Sequence, residues 1–200
     1  MTKVAAAKYL TAYGKLKQYM LERIFITNSF INRYPHESLN LPLLGIDLLA
    51  FGGTKFLAVV DYHPLYDDEK EHSKVFDESI LKPIRDKYPS LQGKMSAKFY
   101  DETQFFSKNM LFSRFEDRDI IMDDLFPAFQ EYITAHVDLA KDTKPKAEGL
   151  DYIRERVAEY DTYSAERDPA KGLLGNTFGS EWAEEYVHGF LFSWSKKQSS

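Results

Sequence analysis

The sequence predicts a single α/β domain that is built on a largely antiparallel β-sheet with helices packed around it. Two observations predict this class: a β-hairpin signal in the first third of the chain, and a region after about residue 115 in which only helical patterns follow. The chain has 200 residues without internal repeats or low-complexity segments, a length that suits one domain with a substantial core. We therefore predict one domain over residues 1–200.

The strands are predicted within the first 115 residues. Two apolar runs flank Phe51-Gly52-Gly53-Thr54, and a glycine pair favours the positive φ angles that tight hairpin turns require. The predicted elements are, in order, a helix at 2–22, strands at 24–31, 43–51 and 55–62, a helix at 67–88 that is interrupted near Pro83, and a strand at 109–115.

Helical patterns dominate the remaining sequence. Asp117 can cap a long helix that continues to about Leu139, because apolar residues recur at helical spacing after it. Three further helices are predicted at 148–163, 169–177 and 181–194, the last with Ser180 as its cap. Strand hairpins followed by helices favour an antiparallel sheet over a parallel one.

The composition excludes several kinds of chemistry. The chain has no cysteine, so it forms no disulfide, offers no thiolate and holds no cysteine-ligated zinc or iron–sulfur cluster. Electrons for a redox reaction must therefore come from outside. The net charge of −5 and pI of about 5.6 argue against nucleic acid and anionic membranes as partners. The lack of a long apolar run or signal-peptide core predicts a cytoplasmic protein.

Nucleotide and metal motifs are also missing from the sequence. It has no G-x-G-x-x-G after a strand, no Walker lysine loop and no H-E-x-x-H, and its five histidines show no metal-ligand spacing. Aromatic residues make up 15% of the chain. Either an aromatic-rich core or a pocket for a large planar ligand would explain them.

Asp47 is chemically out of place in the predicted second strand. It is the only charged residue between Leu41 and Phe51, and on a strand it shares a face with Gly45, which leaves space for a flat ligand. A buried carboxyl group without a cation has a raised pKa and can deliver a proton near neutral pH. Asp47 is therefore a candidate proton donor; the alternative is an aspartate that hydrogen-bonds a neighbouring turn.

Asp168 is the second candidate acid. Aspartate followed by proline is the preferred pair at a helix N-cap and first helical position, so capping is the simpler interpretation of Asp168-Pro169. The two roles are compatible, because a capping residue beside a ligand pocket presents its carboxyl group at the edge of the pocket.

Three stretches in order resemble the ferredoxin-dependent bilin reductases. The first runs from Leu41 through Asp47 and the glycine hairpin to Asp61-Tyr62-His63-Pro64, and the second from Phe106-Ser107-Lys108-Asn109-Met110 to Arg114. The third consists of Tyr160-Asp161-Thr162-Tyr163, Asp168-Pro169, Phe178-Gly179, Trp182-Ala183-Glu184 and Phe190-Leu191-Phe192. The ordered set is more specific than any one motif and spans about residues 35–194.

This resemblance implies a three-layer α/β/α sandwich with a central antiparallel sheet flanked by helices. It implies that Asp47 is the proton donor to the tetrapyrrole and that Asp168 serves protonation at the A-ring side. Arg114 would pair with a bilin propionate. Further substrate contacts are implied for Phe30, Gly45, His63, Ser107 and Asn109. No cofactor is bound tightly in the family, and reduced [2Fe-2S] ferredoxin supplies the electrons.

Two departures from the family pattern bear on the product. Phycocyanobilin-forming members carry a histidine where this chain has Phe30, and their upstream glutamate has no clear counterpart here, Glu22 being the nearest. These departures favour four-electron reduction of biliverdin IXα to phycoerythrobilin, through 15,16-dihydrobiliverdin and radical intermediates. The alternatives are a two-electron reductase that makes or uses 15,16-dihydrobiliverdin, a phycocyanobilin-forming reductase, and a bilin carrier without catalysis.

The expected partners follow from the same resemblance. They are biliverdin IXα as substrate, ferredoxin as electron donor, and heme oxygenase or a downstream lyase as the enzymes before or after this one. The chain is expected to act as a monomer, without nucleic acid or membrane.

Overall fold

The computed structural model describes residues 26–33, 41–65, 74–101, 103–145 and 148–195. The helix predicted at 2–22 lies outside these residues. The described residues divide into two compact units. The first, the sheet unit, contains those between 16 and 95 and between 102 and 148, and the second, the C-terminal unit, contains those between 96 and 101 and from 149 onward. One domain over the whole chain stays a prediction.

Four antiparallel strands form the sheet, in the order β1-β2-β3-β4. They are β1 (Ile26–Arg33), β2 (Leu43–Phe51), β3 (Lys55–His63) and β4 (Leu111–Phe115). Gly52 and Gly53 have φ angles of 59° and 69°, and the N–H of Thr54 donates to the Phe51 carbonyl oxygen at 3.2 Å. The predicted strands and hairpin are therefore confirmed, because glycine adopts this left-handed turn at little cost.

Among its described residues, the sheet unit contains a short 3₁₀-helix (Pro89–Leu91) and two longer helices. The first, α1, is π-helical over Lys74–Leu81 and α-helical over Lys82–Arg85, so it passes Pro83 without the predicted interruption. Pro83 is the second residue of the α-helical part, and its ring removes one backbone N–H donor from the helix. The second, α2, is π-helical over Ile121–Leu125 and α-helical over Phe126–Asp142. Asp117 accepts the N–H of Asp119 at 3.0 Å in the turn before α2, whereas the residue that precedes the π-helical part is Ile120, without a capping side-chain bond.

One face of the sheet forms the core of this unit. Alternate residues of β2 and β3 are buried on it: Leu44, Ile46, Ala58, Val60 and Tyr62. They pack with apolar side chains that include Leu81 and Ile84 of α1 and Leu125, Ala128 and Tyr132 of α2. Each fully buried aliphatic side chain stabilises the fold by about 1.5–3 kcal/mol. Because one face of the sheet packs in this core, only the opposite face is left for a functional site.

Three helices form the C-terminal unit. They are α3 (Leu150–Arg167), α4 (Ala170–Phe178) and α5, which is α-helical over Ser180–Tyr186 and π-helical over Val187–Leu191. The predicted cap Ser180 is wrong: Ser180 is the first helical residue, and the capping position is Gly179 with a φ of 95°. None of the helices described in either unit is long and apolar enough to cross a membrane.

Candidate functional site

The sheet face opposite the core carries most of the residues that the sequence predicts as a site. The alternation of β2 and β3 places Gly45, Asp47, Asp61 and His63 on this face, and the register sets Gly45 opposite Asp61. Arg114 of β4 lies on the same face, opposite Leu57 of β3. We call this surface the acid face.

Asp47 lies in the middle of the acid face. Its backbone pairs with Phe30 of β1 on one side and with Val59 of β3 on the other. Asp47 is half-buried, and its Oδ1 atom is screened from solvent. Phe30, where phycocyanobilin-forming members of the family carry a histidine, therefore pairs directly with Asp47 in the backbone register. That Asp47 donates a proton, and that Phe30 contacts the bilin, stay predictions.

Asp61 is a second buried acid on this face, and the sequence interpretation missed it as a site residue. It is fully buried, its Oδ2 accepts the N–H of Ser107 at 2.9 Å, and its Oδ1 accepts the Ser107 hydroxyl. The same signal that singled out Asp47 was present, because Asp61 is the only acid in the apolar strand β3. Ser107 therefore ties the loop before β4 to the centre of the sheet.

His63 extends the network from Asp61. Its Nδ1 lies 3.4 Å from Oδ2 of Asp61 and donates to the carbonyl oxygen of Phe105 at 2.8 Å. The ring also packs edge-on against Phe106, with 5.2 Å between the centroids. Phe105 has a φ of 62°, an unfavourable left-handed conformation for a residue with a side chain, and this turn presents its carbonyl group to the histidine.

Gly45 provides the room for the His63 ring. A Cβ atom at position 45 would lie 2.0 Å from Nε2 of His63 and 2.6 Å from its Cδ2. The sequence predicted that the space beside Gly45 admits a flat ligand, whereas in the structure the imidazole fills it. The glycine is required because two groups approach closely, and the second group belongs to the chain itself.

A third acid, Asp77 of α1, lies beside this network. Burial and the negative charge of Asp61 raise the pKa of Asp77, and hydrogen bonds from the Lys108 N–H and from the side chains of Ser107 and Asn109 oppose the shift. The Asn109 amide also donates to the backbone oxygen of Asp77 at 3.1 Å. Ser107 and Asn109 thus bind acids of this chain, and their predicted contact with substrate stays a prediction.

Arg114 is the cation of the acid face. Its side chain is exposed, and the guanidinium lies 5.7 Å from the centroid of the Phe112 ring. Arg114 lies two strands and two residues away from Asp47 in the register, or about 12 Å between Cα atoms at ordinary sheet spacings. A single ligand that binds Arg114 through a carboxylate and also contacts Asp47 must therefore span about 12 Å.

Asp168 caps α4 in the C-terminal unit. Its extended backbone (φ −61°, ψ 115°) precedes Pro169, and its Oδ1 accepts the N–H of Ala170 at 2.8 Å. The predicted cap is therefore confirmed. Burial raises the pKa of Asp168, and the bond from Ala170 opposes this shift. A partly buried acid with a raised pKa is suited to donate a proton, and this role stays a prediction.

Replacing Asp168 with asparagine keeps a side chain that can cap the helix and removes the ionisable carboxyl group. Asparagine caps about as well as aspartate, so below about pH 4 we expect an unfolding free energy within a few tenths of a kcal/mol of wild type. Because burial raises the folded-state pKa of Asp168, the contribution of Asp168 to wild-type stability falls as pH rises from about 4, and the variant does not share this loss. Denaturant unfolding at pH 4 and 7 checks the sign, and a variant that weakens relative to wild type at pH 7 would contradict it.

The C-terminal unit has polar and aromatic groups that the sequence interpretation assigned no role. Asp161 is fully buried and accepts the N–H of Trp194 at 2.8 Å. His188 lies 2.7 Å from the Ser195 hydroxyl. Aromatic rings lie at successive turns along α4 and α5, with centroids 4.9–5.2 Å apart, in the row Phe178, Trp182, Tyr186 and Phe190; the first pair is tilted and the next two are stacked. Among the residues described, no group of three metal-ligating side chains is assembled.

Comparison with known sequences is consistent with this geometry. A family model described as ferredoxin-dependent bilin reductase matches residues 6–193. A 15,16-dihydrobiliverdin:ferredoxin oxidoreductase from Nostoc punctiforme is 41% identical over 169 residues, which cover 84% of this chain and 67% of the relative. A phycoerythrobilin:ferredoxin oxidoreductase from the same organism is 32% identical, over 97% of this chain and 78% of the relative.

Comparison with solved structures supports the fold. Tomato phytochromobilin synthase, solved in complex with biliverdin, superposes with a TM-score of 0.73 at 21% identity. The match covers 88% of this chain and 63% of that one. The chain thus spans roughly two thirds of the length of the relatives it matches. The likeness confirms the predicted α/β fold class.

Proposed function

Since this chain belongs to the ferredoxin-dependent bilin reductase family, we propose that it catalyses the two-electron reduction of biliverdin IXα to 15,16-dihydrobiliverdin. The observation that carries the choice of product is the identity to relatives named for 15,16-dihydrobiliverdin, 41% and 38%, against 32% for the relative named for phycoerythrobilin. This replaces the four-electron reaction that the sequence favoured with one of the alternatives kept beside it.

The proposed reaction balances with simple inputs. Two reduced ferredoxins each give one electron, two protons are taken up, and the C15=C16 double bond becomes a single bond. The first electron produces a bilin radical, and the second completes the reduction. The protein's contribution is to bind the bilin, orient it and place acids at the carbons that gain hydrogen.

Asp47 is the acid that we assign to this reaction. It lies on the acid face between apolar neighbours of β1 and β3, with one carboxyl oxygen screened from solvent. The family resemblance assigns Asp168 to protonation at the A-ring side. Its hydrogen bond to Ala170 gives it a structural role that needs no second reduction, so a two-electron reaction is compatible with both acids.

Arg114 is assigned to a propionate of the bilin. Replacing it with alanine should weaken biliverdin binding by about 1.5–3 kcal/mol, or roughly 10- to 150-fold, because a charge-assisted hydrogen bond is lost. Titration of the bilin absorption band measures the affinity. Arg118→Ala is the control, since that guanidinium binds the Gly53 carbonyl group at the hairpin. Equal affinities of the Arg114 variant and wild type would remove Arg114 from the binding site.

Anaerobic turnover tests the proposed product directly. Biliverdin IXα is incubated with the protein, ferredoxin and a ferredoxin-reducing system, and the bilins are separated by chromatography. We expect 15,16-dihydrobiliverdin to accumulate and to persist on long incubation. Formation of phycoerythrobilin would overturn the two-electron proposal in favour of the four-electron reaction. Binding of biliverdin without any conversion would favour the carrier alternative.

A further inference from the structure

Asp77 of α1 is a buried acid that the proposed mechanism does not use. It is 7% exposed, and within the part of the chain that the structure describes its Oδ1 atom is screened from solvent and accepts no hydrogen bond. The negative charge of Asp61 is close enough to raise the pKa of Asp77. Burying two acids beside each other is costly, because each disfavours the charged form of the other.

The loop before β4 joins these two acids. Ser107 donates its backbone N–H to Oδ2 of Asp61 at 2.9 Å and its hydroxyl to Oδ1. The same side chain hydrogen-bonds the carboxyl group of Asp77, as do the Lys108 N–H and the Asn109 side chain. The Asn109 amide also donates to the backbone oxygen of Asp77 at 3.1 Å. The loop is thus attached to β3 through one acid and to α1 through the other.

The Ser107 hydroxyl relates this attachment to protonation. A hydroxyl group has a single hydrogen, and here that hydrogen is donated to Asp61. Toward Asp77 the Ser107 oxygen can therefore only accept, and a carboxyl group donates a hydrogen bond only when it is protonated. One proton on Asp77 completes the chain from Asp77 through Ser107 to Asp61. Burial and the charge of Asp61 raise the pKa of Asp77, which favours the same form.

We propose that Asp77 is a positioning residue of the bilin site, which in its protonated form holds the loop 105–109 on the acid face. Its effect on the bilin rests on the proposed function, whereas its hold on the loop does not. The Phe105 carbonyl oxygen lies 2.8 Å from Nδ1 of His63, and the Phe106 ring packs edge-on against the His63 ring. Release of the loop would therefore change the surface of the acid face.

Other charged and titratable groups surround this cluster among the described elements. Burial raises the pKa of Tyr132, whose hydroxyl donates to the Asn109 backbone oxygen at 2.6 Å, so Tyr132 stays neutral. A guanidinium stays charged throughout. Because the remaining groups can also respond to pH, only a difference between wild type and a variant at position 77 is diagnostic. The surrounding groups are Arg85 on α1, Tyr132 on α2, Asp61 and His63 on β3, and Lys108 in the loop, whose side chain is exposed.

Asp77→Asn isolates the ionisation, because the amide oxygen can still accept the Lys108 N–H and the amide cannot ionise. At pH 5 we expect hydrogen exchange of the Ser107 N–H within about threefold of wild type. Since the folded-state pKa of Asp77 is raised, its hold on the loop is lost as pH rises from about 4. From pH 5 to 8 the wild-type protection of this N–H should therefore fall about 10-fold relative to the variant, and biliverdin affinity should fall with it.

Two further measurements support this comparison. Infrared difference spectra between wild type and Asp77→Asn should show one protonated carboxyl band at pH 5 that weakens as pH rises. Asp77→Ala removes the attachment, so the Ser107 N–H should exchange at least 10-fold faster than in wild type even at pH 5. Glu78→Gln is the matched control, because it removes a negative charge from the next residue of α1, which is exposed, and should behave as wild type.

The outcomes separate the two proposals. Parallel pH profiles of Ser107 exchange in wild type and Asp77→Asn, or no carboxyl band at pH 5, overturn the protonated attachment, and this comparison decides even if Asp77→Ala does not fold. Exchange that changes as expected while biliverdin affinity does not follow overturns the positioning role. Wild-type protein that binds no biliverdin at any pH refutes the proposed function instead, and the exchange profiles still decide whether Asp77 holds the loop.

Discussion

Replacing Asp47 with asparagine should leave biliverdin bound and lower the rate of its reduction by 100-fold or more. The amide is nearly isosteric with the carboxyl group, so the contacts of β2 with β1 and β3 are retained. It cannot act as an acid near neutral pH, and a positioned general acid typically contributes about 10²- to 10⁴-fold to a rate. Binding and proton transfer should therefore separate in this variant. Absorption titration measures the first and anaerobic turnover the second.

The matched control for this prediction is Asp123→Asn. Asp123 is exposed in the first turn of α2, and the same chemical change there should leave both binding and turnover unchanged. Unimpaired product formation by the Asp47 variant would remove Asp47 from the mechanism. Loss of binding together with turnover would instead assign Asp47 to recognition of the bilin.

A methyl group at position 45 should disrupt the site as strongly. In Gly45→Ala the new Cβ would lie 2.0 Å from Nε2 of His63, so the ring must leave its position and break its bond to Phe105. Overpacking of this kind typically costs about 1–3 kcal/mol of folding free energy. We expect that loss in denaturant unfolding.

Two further variants isolate the cause. In the double variant Gly45→Ala with His63→Ala the clash is absent, so part of the lost stability should return and the two changes should be strongly non-additive. Gly172→Ala makes the same substitution in α4, where no atom lies within 4 Å of the new methyl group, and should leave stability unchanged or raise it by up to about 1 kcal/mol. Additive effects at positions 45 and 63 would show that the two residues do not compete for space.

Much of the sheet and one acid of the site were predictable from local patterns. The Gly52-Gly53 turn and the alternation of β2 and β3 predicted the hairpin, and a single charge in an apolar run identified Asp47. Such local signals suffice when all the residues that determine a structural feature lie within one segment of the sequence. Ser180 shows their limit: a serine before a helical pattern favours a cap, but the neighbouring Gly179 takes that position in the structure.

The network around Asp61 could not be predicted in the same way. Ser107 lies 46 residues from Asp61 in the sequence, and His63 reaches Phe105 across 42. These contacts depend on where the loop before β4 returns to the sheet, and nothing in either segment alone specifies that. The space beside Gly45 was predicted correctly, but its occupant was not, since a glycine indicates close approach without indicating what approaches.

The strained backbone at Phe105 lowers the stability of the folded protein before any ligand binds. A non-glycine residue at a φ of 62° is strained by about 1–2 kcal/mol, and the strain persists because the surrounding contacts hold it. That energy is subtracted from the stability of the folded protein once, before any substrate is present. The carbonyl group that accepts the hydrogen bond from His63 is consequently already aligned before any ligand arrives.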